Sequence, residues 1–178
     1  EAAGGAARIT LNRPEKRNAL DAEIISGLHS AFERASADDA VRVVALGGTG
    51  RDFCSGADLA ELEASLDNPP GQNLAAARTL ADLFLRMRRH RCPIVALVRG
   101  RALAGGCGLA SACDIVLSEE SAQFGYPEVN IGFIPAMVMA ILRRAVTEKR
   151  AFEWIVSGEI FPAAMARACA RPAQGAQS

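Results

Sequence analysis

The chain has 178 residues, half of them hydrophobic, with 20 Lys and Arg against 20 Asp and Glu. This length suits one domain with a substantial core. The formal net charge of zero gives no reason to expect nucleic acid or an anionic membrane as the main partner.

Targeting and redox signals are weak. No apolar run approaches the roughly 18–20 residues that a membrane span requires, and the start, Glu1–Gly5, does not resemble a secretory signal. The five cysteines are an odd number and include no C-x-x-C pair. They favour small buried thiols in a reduced compartment over a metal site or a disulfide framework. We therefore predict a cytoplasmic protein without a metal site.

The first half of the chain alternates strand and helix patterns. Ala7–Leu11 alternates as a strand does and ends at a turn, Asn12–Pro14. Asp21 is expected to cap a helix that ends at about Ala37 and carries apolar residues on one face. The other elements predicted here are a buried strand Val41–Leu46, a short helix from Ala57 or Asp58 to about Ser65, an exposed, mobile connection Leu66–Gln72 and a helix Asn73–His90.

A glycine-rich turn lies in the second half. It occupies Arg99–Gly108, between a buried strand, Pro93–Val98, and an apolar helix that ends at about Ala112. Strands alternating with helices predict an α/β domain with a layered, mostly parallel sheet. The later predicted elements are short strands Ile115–Leu117 and Ala122–Phe124, a helix from Pro135 to about Val146, a helix capped by Thr147 to about Val156 and a short helix Ala163–Cys169.

The glycine turn suits an anion, because its backbone can approach a ligand and the N–H groups of the following helix start are unpaired. A P-loop is excluded, since Gly106 and Cys107 stand where Lys and Ser or Thr are required. A dinucleotide site is disfavoured, because Ser111 replaces the third glycine and Glu128 does not follow a strand end. An oxyanion that forms during a reaction is the better candidate.

A second turn of the same kind lies at Phe53–Leu59, where Gly56 precedes a predicted helix. Two such turns, each donating one backbone N–H, could meet on a thioester or amide carbonyl oxygen. From spacing alone, two tight turns without a chemical role remain an open alternative.

Five segments of the chain resemble the enoyl-CoA hydratase/isomerase (crotonase) superfamily, in the order and at the spacing of that family. The resemblance runs from Ala7 to about Met165 and implies a ClpP/crotonase-like spiral of ββα units. The segments are Asn12–Leu20, Phe53–Leu59, Ala104–Cys107, Cys113–Ile115 and Gln123–Glu128.

The resemblance also implies a substrate and an organisation. The substrate is an acyl-CoA, and no separate cofactor is expected because coenzyme A is part of that substrate. The core domain is expected to span residues 1–168, with a polar tail over 169–178. Family members have further C-terminal helices that close the site and build homotrimers or hexamers, and these helices are expected to be missing here.

Site residues follow from the same resemblance. The backbone N–H groups of Ala57 and Gly105 are expected to hold the thioester oxygen, with Glu128 as the general acid and base. Phe133 suggests a bulky apolar acyl pocket, although ordinary core packing explains it equally well. The residues expected to line the coenzyme A path are Lys16, Arg17, Ala19, Ala57, Asp58, Leu59 and Ala60, with Gly105 beside the thioester.

One departure from the family keeps the reaction open. Well-studied hydratases carry a second glutamate where this chain has Gly108. We predict a lyase that adds or removes water across the 2,3-double bond of an enoyl-CoA in fatty acid metabolism. The alternatives are a Δ3-Δ2-enoyl-CoA isomerase and a truncated homologue that binds coenzyme A without turnover. A serine hydrolase is disfavoured, because no G-x-S-x-G elbow occurs.

Overall fold

Strands and helices alternate throughout the described part of the chain, which is residues 2–170 of a computed structural model. The strands are β1 Ala2–Ala3, β2 Ala6–Leu11, β3 Val43–Gly48, β4 Ile94–Val98, β5 Arg101–Leu103, β6 Ile115–Ser118, β7 Gln123–Gly125 and β8 Ile160–Pro162. The helices are α1 Ala22–Ala37, α2 Leu59–Ala64, α3 Pro70–Arg88, α4 Gly105–Ala112, α5 Ala136–Ala145, α6 Glu148–Ser157 and α7 Ala163–Cys169. Short 3-10 helices lie at Pro14–Lys16, Ser65–Asp67 and Pro127–Ile131.

Within these residues the strands form two sheets. The larger sheet has the order β1-β2-β3-β4-β6, and β2, β3, β4 and β6 run parallel to one another. The smaller sheet has the order β5-β7-β8, and Cys54 extends it through a bridge to Ala102. Parallel neighbours need long crossover connections, which the helices supply.

Each repeat of the spiral has one segment in each sheet, and a helix follows the second segment. β4 leads to β5 and then to α4, and β6 leads to β7 and then to α5. In the two earlier turns an isolated bridge replaces the second strand, at Leu20–Ala57 and at Cys54–Ala102. This repetition confirms the predicted α/β spiral of ββα units.

The core lies between the larger sheet and the helices α1 and α3. Val44 and Leu46 on β3 are fully buried, and so is Phe32 on α1. Burying one such side chain contributes about 1.5–3 kcal/mol. This packing fixes the strands of the larger sheet and therefore the positions at which their following loops begin.

Several details differ from the sequence-based expectation; for example, the strand predicted over Val41–Leu46 is observed over Val43–Gly48. Helix α3 begins at Pro70, so the connection predicted over Leu66–Gln72 is wrong in its last three residues; proline is well suited to the first turn of a helix. The strands β1, β5 and β8 were not predicted: β1 has two residues, β5 lies inside the glycine turn, and β8 ends at a proline. Thr147 precedes α6 as predicted, but its side chain makes no capping hydrogen bond.

The end of the chain lies only partly within the described residues. Helix α7 ends at Cys169, and Ala170 forms a bridge with Val146. Residues 171–178, most of the predicted polar tail, lie outside the described residues, so the division after residue 168 stays a prediction. In the part from 2 to 170, no helix is long and apolar enough to cross a membrane.

Candidate active site

Two helix starts meet where the smaller sheet ends. Cys54 pairs with Ala102 in that sheet, and a few residues later each strand turns into a helix. A Cβ built on Gly56 would lie 3.4 Å from the nitrogen of Gly105. A Cβ built on Gly105 would lie 3.9 Å from the nitrogen of Ala57. The two turns singled out in the sequence are therefore in contact.

The amide of Ala57 is aimed by the neighbouring loop. In a planar trans peptide the C=O and the N–H point in opposite directions. The C=O of Gly56 belongs to the same peptide group as Ala57 N–H, and it accepts a hydrogen bond from Leu20 N–H at 2.7 Å. Ala57 N–H therefore faces away from Leu20, and no acceptor among residues 2–170 contacts it.

The amide of Gly105 is aimed by a strained residue. Ala104 has φ 55° and ψ −123°, and a positive φ of this kind costs a non-glycine residue roughly 1–3 kcal/mol. Ala104 N–H donates to Gly125 O at 2.8 Å, and Ala104 O accepts from Gly108 N–H at 3.1 Å. With that C=O held inside α4, Gly105 N–H faces outward at the positive end of the helix. It too contacts no acceptor in the described part of the chain.

A third loop, residues 12–20, is held against the loop that follows β3. The side chain of Asn18 is fully buried and donates to Thr49 O at 2.9 Å and to Asp52 O at 2.8 Å. Its Oδ1 accepts from Arg13 N–H at 2.9 Å. A buried amide with these partners is costly to replace, because each partner would lose its hydrogen bond. Asn18 therefore fixes the shape of the loop between β2 and α1.

Glu128 is a half-buried carboxyl group in the 3-10 helix Pro127–Ile131. Its Oε2 is buried without a hydrogen-bond partner in the described residues. Burial raises the pKa of Glu128, and a hydrogen bond from its own backbone N–H opposes this shift only in part. A carboxylate whose charged form is disfavoured accepts a proton more readily than one in water. Glu128 is therefore suited to acid–base chemistry.

The charge of Glu128 acts on the first turn of α4. Cys107, two residues after Gly105, donates from its thiol to Ala102 O at 2.9 Å, and the sulfur accepts from Gly125 N–H at 3.4 Å. Burial raises the pKa of the Cys107 thiol to about 12, and the charge of Glu128 adds to this shift. The carboxylate is thus within electrostatic range of the helix that begins at Gly105.

Two open clefts lie elsewhere on the molecule. Their volumes are about 610 and 970 Å³, and both include Arg99 and Glu119 in their lining. None of the predicted site residues lines either cleft. The candidate site is therefore located by the direction of the two amides and by the raised pKa of Glu128. Cavity size does not identify it.

The same fold occurs in known proteins. The family model described as enoyl-CoA hydratase/isomerase matches residues 1–169. The chain belongs to the enoyl-CoA hydratase/isomerase family. This confirms the crotonase resemblance from which the fold was expected.

Relatives in the enoyl-CoA hydratase/isomerase family include a Thermus thermophilus protein provisionally named an enoyl-CoA hydratase, which is 44% identical over 93% of this chain. The 2,3-dehydroadipyl-CoA hydratase of Escherichia coli is 36% identical over 89% of the chain. The crystal structure of an enoyl-CoA hydratase from Mycobacterium smegmatis matches with a TM-score of 0.89 at 33% identity, over 93% of this chain and 64% of that chain. The chain covers 65% and 61% of the first two proteins, so it spans less than two thirds of their length.

Most of the residues expected to contact substrate in this family are exposed. Arg17 is brought to the Ala57 turn, because its C=O accepts from Ser55 N–H at 3.0 Å. Phe133 N–H donates to Glu128 O at 3.0 Å, and the Phe133 side chain is 46% exposed. The other exposed members of the predicted set are Lys16, Ala57, Leu59 and Ala60.

Ala19 and Asp58 differ from the rest of the predicted set because both are buried. The Asp58 carboxylate accepts from Ala60 N–H at 2.9 Å and so caps α2. It also forms an ion pair with Arg13 at 2.5 Å. Since this carboxylate is fully engaged by the protein, Asp58 is placed to support the site.

Two residues that shape the site were not singled out from the sequence. Asn18 lies in a segment that carries the family resemblance, and asparagine is enriched at positive φ, which it adopts here at 55°. That preference is a usable signal. Ala104 carries no such signal, because alanine avoids positive φ unless the surrounding structure imposes it.

Proposed function

We propose that this chain forms the catalytic core of an enoyl-CoA hydratase, a lyase that adds water to, or removes it from, the 2,3-double bond of an enoyl-CoA thioester. The observation that carries the proposal is the contact between the turns of Ala57 and Gly105, with both amides unpaired. Glu128, whose pKa is raised by burial and whose charge acts on Cys107 in α4, supplies the acid–base group. Relatives that are named as hydratases support the same activity.

The two amides act on the thioester carbonyl. An oxygen held between them is stabilised as negative charge develops on it, and one such donor is typically worth about 10²–10³ in kcat. Glu128 removes a proton from water as the water oxygen attacks C3, which leaves an enolate on the thioester. The protonated carboxyl group then delivers that proton to C2, so one carboxylate serves in both steps.

Coenzyme A is proposed to pass the loop between β2 and α1. The exposed cations of Lys16 and Arg17 can pair with its phosphates, and Phe133 would contact the acyl end. Ala19 and Asp58 would contribute through their backbone only. No metal and no separate cofactor are proposed. The exposed surface beside the thioester arm is formed by Ala57, Leu59 and Ala60.

The family resemblance also supports proposals on assembly and location. A homotrimer or hexamer is proposed from the family resemblance alone, although the C-terminal helices that build it in longer family members are expected to be missing from this chain. A cytoplasmic location is proposed from the cysteines, since buried free thiols suit a reduced compartment. Cys54, Cys92, Cys107 and Cys113 are free and buried.

The surroundings of Gly108 favour a second candidate, a Δ3-Δ2-enoyl-CoA isomerase. A Cβ built on Gly108 would lie 2.9 Å from Val138 Cγ2 and 3.0 Å from Phe84 Cζ. A glutamate at this position would have to displace the side chains of Val138 and Phe84. This chain has glycine there, so Glu128 would act alone. One carboxylate is enough for an isomerase, which takes a proton from C2 of a 3-enoyl-CoA and returns it to C4.

Gly108→Ala tests how tightly this position is packed. We expect it to lower the free energy of unfolding by about 1–3 kcal/mol, because the added methyl group overpacks the core. Val138→Ala in the same chain should recover part of that loss, as measured by urea unfolding. Gly27→Ala is the control, since a Cβ there meets nothing within 4 Å. Equal stability of the Gly108→Ala and Gly27→Ala variants would contradict the packing argument.

Two substrates separate the candidate functions. Purified protein is given crotonyl-CoA, and loss of the 2-enoyl absorbance is followed; it is then given a 3-enoyl-CoA, and the appearance of that absorbance is followed. Hydration without isomerisation supports the lyase, and the converse supports the isomerase. Binding of both thioesters with no turnover of either would overturn both activities and favour a homologue that only binds coenzyme A.

A further inference from the structure

Arg13 lies between the starts of two helices. Its guanidinium Nη1 is 2.5 Å from Asp58 Oδ2 and 3.2 Å from Asp21 Oδ2. Asp58 caps α2 and Asp21 caps α1, where its Oδ1 accepts from Ile24 N–H at 2.8 Å. One arginine therefore joins the caps of both helices.

The ion pair with Asp58 adjoins one of the two candidate oxyanion donors. Asp58 directly follows Ala57, and its N–H donates to Leu20 O at 2.9 Å. Leu20 N–H in turn holds Gly56 O at 2.7 Å. The peptide group that presents Ala57 N–H is thus held by Leu20 on one side and by the Arg13–Asp58 pair on the other.

Arg13 is itself held firmly. Its N–H donates to Asn18 Oδ1, and its C=O accepts from Asn18 N–H, both at 2.9 Å. Because Asn18 is fully buried, these bonds fix the backbone from which the Arg13 side chain extends. This arrangement differs from an exposed surface ion pair, which is held by flexible side chains and contributes about 0–1 kcal/mol.

We propose that Arg13 is a positioning residue for the reaction: by clamping the Asp21 and Asp58 caps together, it sets the direction of Ala57 N–H toward the thioester oxygen. The inference rests on the proposed function. Hydrogen bonds to a developing oxyanion depend steeply on distance and direction, and small displacements of positioned groups reduce rates by up to about 100-fold. Loss of the clamp therefore acts on turnover more than on binding of the nucleotide end.

The test compares Arg13→Ala with the wild-type protein and with Arg143→Ala, which breaks an exposed ion pair to Glu148. We expect Arg13→Ala to lower kcat roughly 10- to 100-fold with little change in KM, and Arg143→Ala to change neither. Arg13→Lys, which keeps the positive charge on a shorter side chain, should lie between. If Arg13→Ala does not fold, Arg13→Lys is compared with the wild-type protein and with Arg143→Ala instead.

A spectroscopic measurement separates positioning from simple loss of stability. A saturated acyl-CoA with a ¹³C-labelled carbonyl cannot react, and its C=O stretch reports the hydrogen bonds that the carbonyl receives when bound. In the Arg13→Ala protein the bound C=O band should move back toward its frequency in water. An unchanged band with unchanged kcat, even at a lower Tm, would overturn the clamp. Since this measurement needs no turnover, it still tests Arg13 if the wild-type protein proves inactive and the proposed function fails.

Discussion

Glu128→Gln is expected to lower kcat for the favoured enoyl-CoA substrate by about 10²–10⁴-fold, the usual contribution of a positioned general acid–base group. The amide keeps the shape of the side chain but cannot take up or release the proton, so KM should change little. Steady-state kinetics measures both constants. Glu120→Gln, in the exposed turn after β6, is the matched control and should keep full activity.

The same substitution has an opposite effect on stability. Burial raises the pKa of Glu128 above its ordinary value of 4.5, so the unfolded chain ionises this group at lower pH than the folded chain. The stability that the protonated group contributes is complete below pH 4.5 and is lost as the pH rises through the raised pKa. Glutamine carries no charge, so Glu128→Gln should be at least as stable as the wild type at pH 7 and show no such advantage below pH 4.5.

Urea unfolding of both proteins at pH 7 and at pH 4 measures this predicted difference in stability. A variant that loses activity and is also less stable at pH 7 would show that Glu128 has a structural partner, contrary to its unpaired Oε2. Full activity in Glu128→Gln would exclude the carboxylate from the mechanism and overturn its proposed role as the general acid and base.

Local sequence signals predicted those helices and strands whose ends are marked by capping or turn residues. Asp21 accepts from Ile24 N–H and begins α1, which ends at Ala37 as expected. The apolar run of β4 is a central strand, since it pairs with both β3 and β6. In these cases the information lies within about ten residues, through capping, periodicity and the burial of alternate side chains.

The geometry of the candidate site depends on contacts that no local pattern records. The glycine turn contains the three-residue strand β5, which forms because β7 and Cys54 lie on either side of it. Arg13 was predicted to lie in a turn and in a segment that carries the family resemblance, with no role of its own. In the structure it joins residues 8 and 45 positions away in sequence. The family resemblance named Ala57, Gly105 and Glu128, but the means by which their groups are aimed became visible only in the fold.

Gly105→Ala should abolish most of the activity while leaving the protein folded. Gly105 does not have a positive φ, so alanine can adopt its backbone conformation. The new Cβ would lie 3.9 Å from Ala57 N and 3.2 Å from Leu20 Cδ1, the end of a flexible side chain. The methyl group would therefore occupy the space in which the thioester oxygen must approach both amides. We expect kcat to fall by about 10²–10³, the effect of losing one oxyanion donor.

Gly106→Ala is the matched control, because the same methyl group one residue later meets backbone. Its Cβ would lie 2.2 Å from Cys54 O, which forces α4 away from the smaller sheet and should lower Tm as well as activity. Gly105→Ala should instead keep the wild-type Tm and its affinity for free coenzyme A, which lacks the thioester carbonyl. An active Gly105→Ala protein would mean that the thioester oxygen does not lie between these two amides, because a methyl group in that space would exclude it.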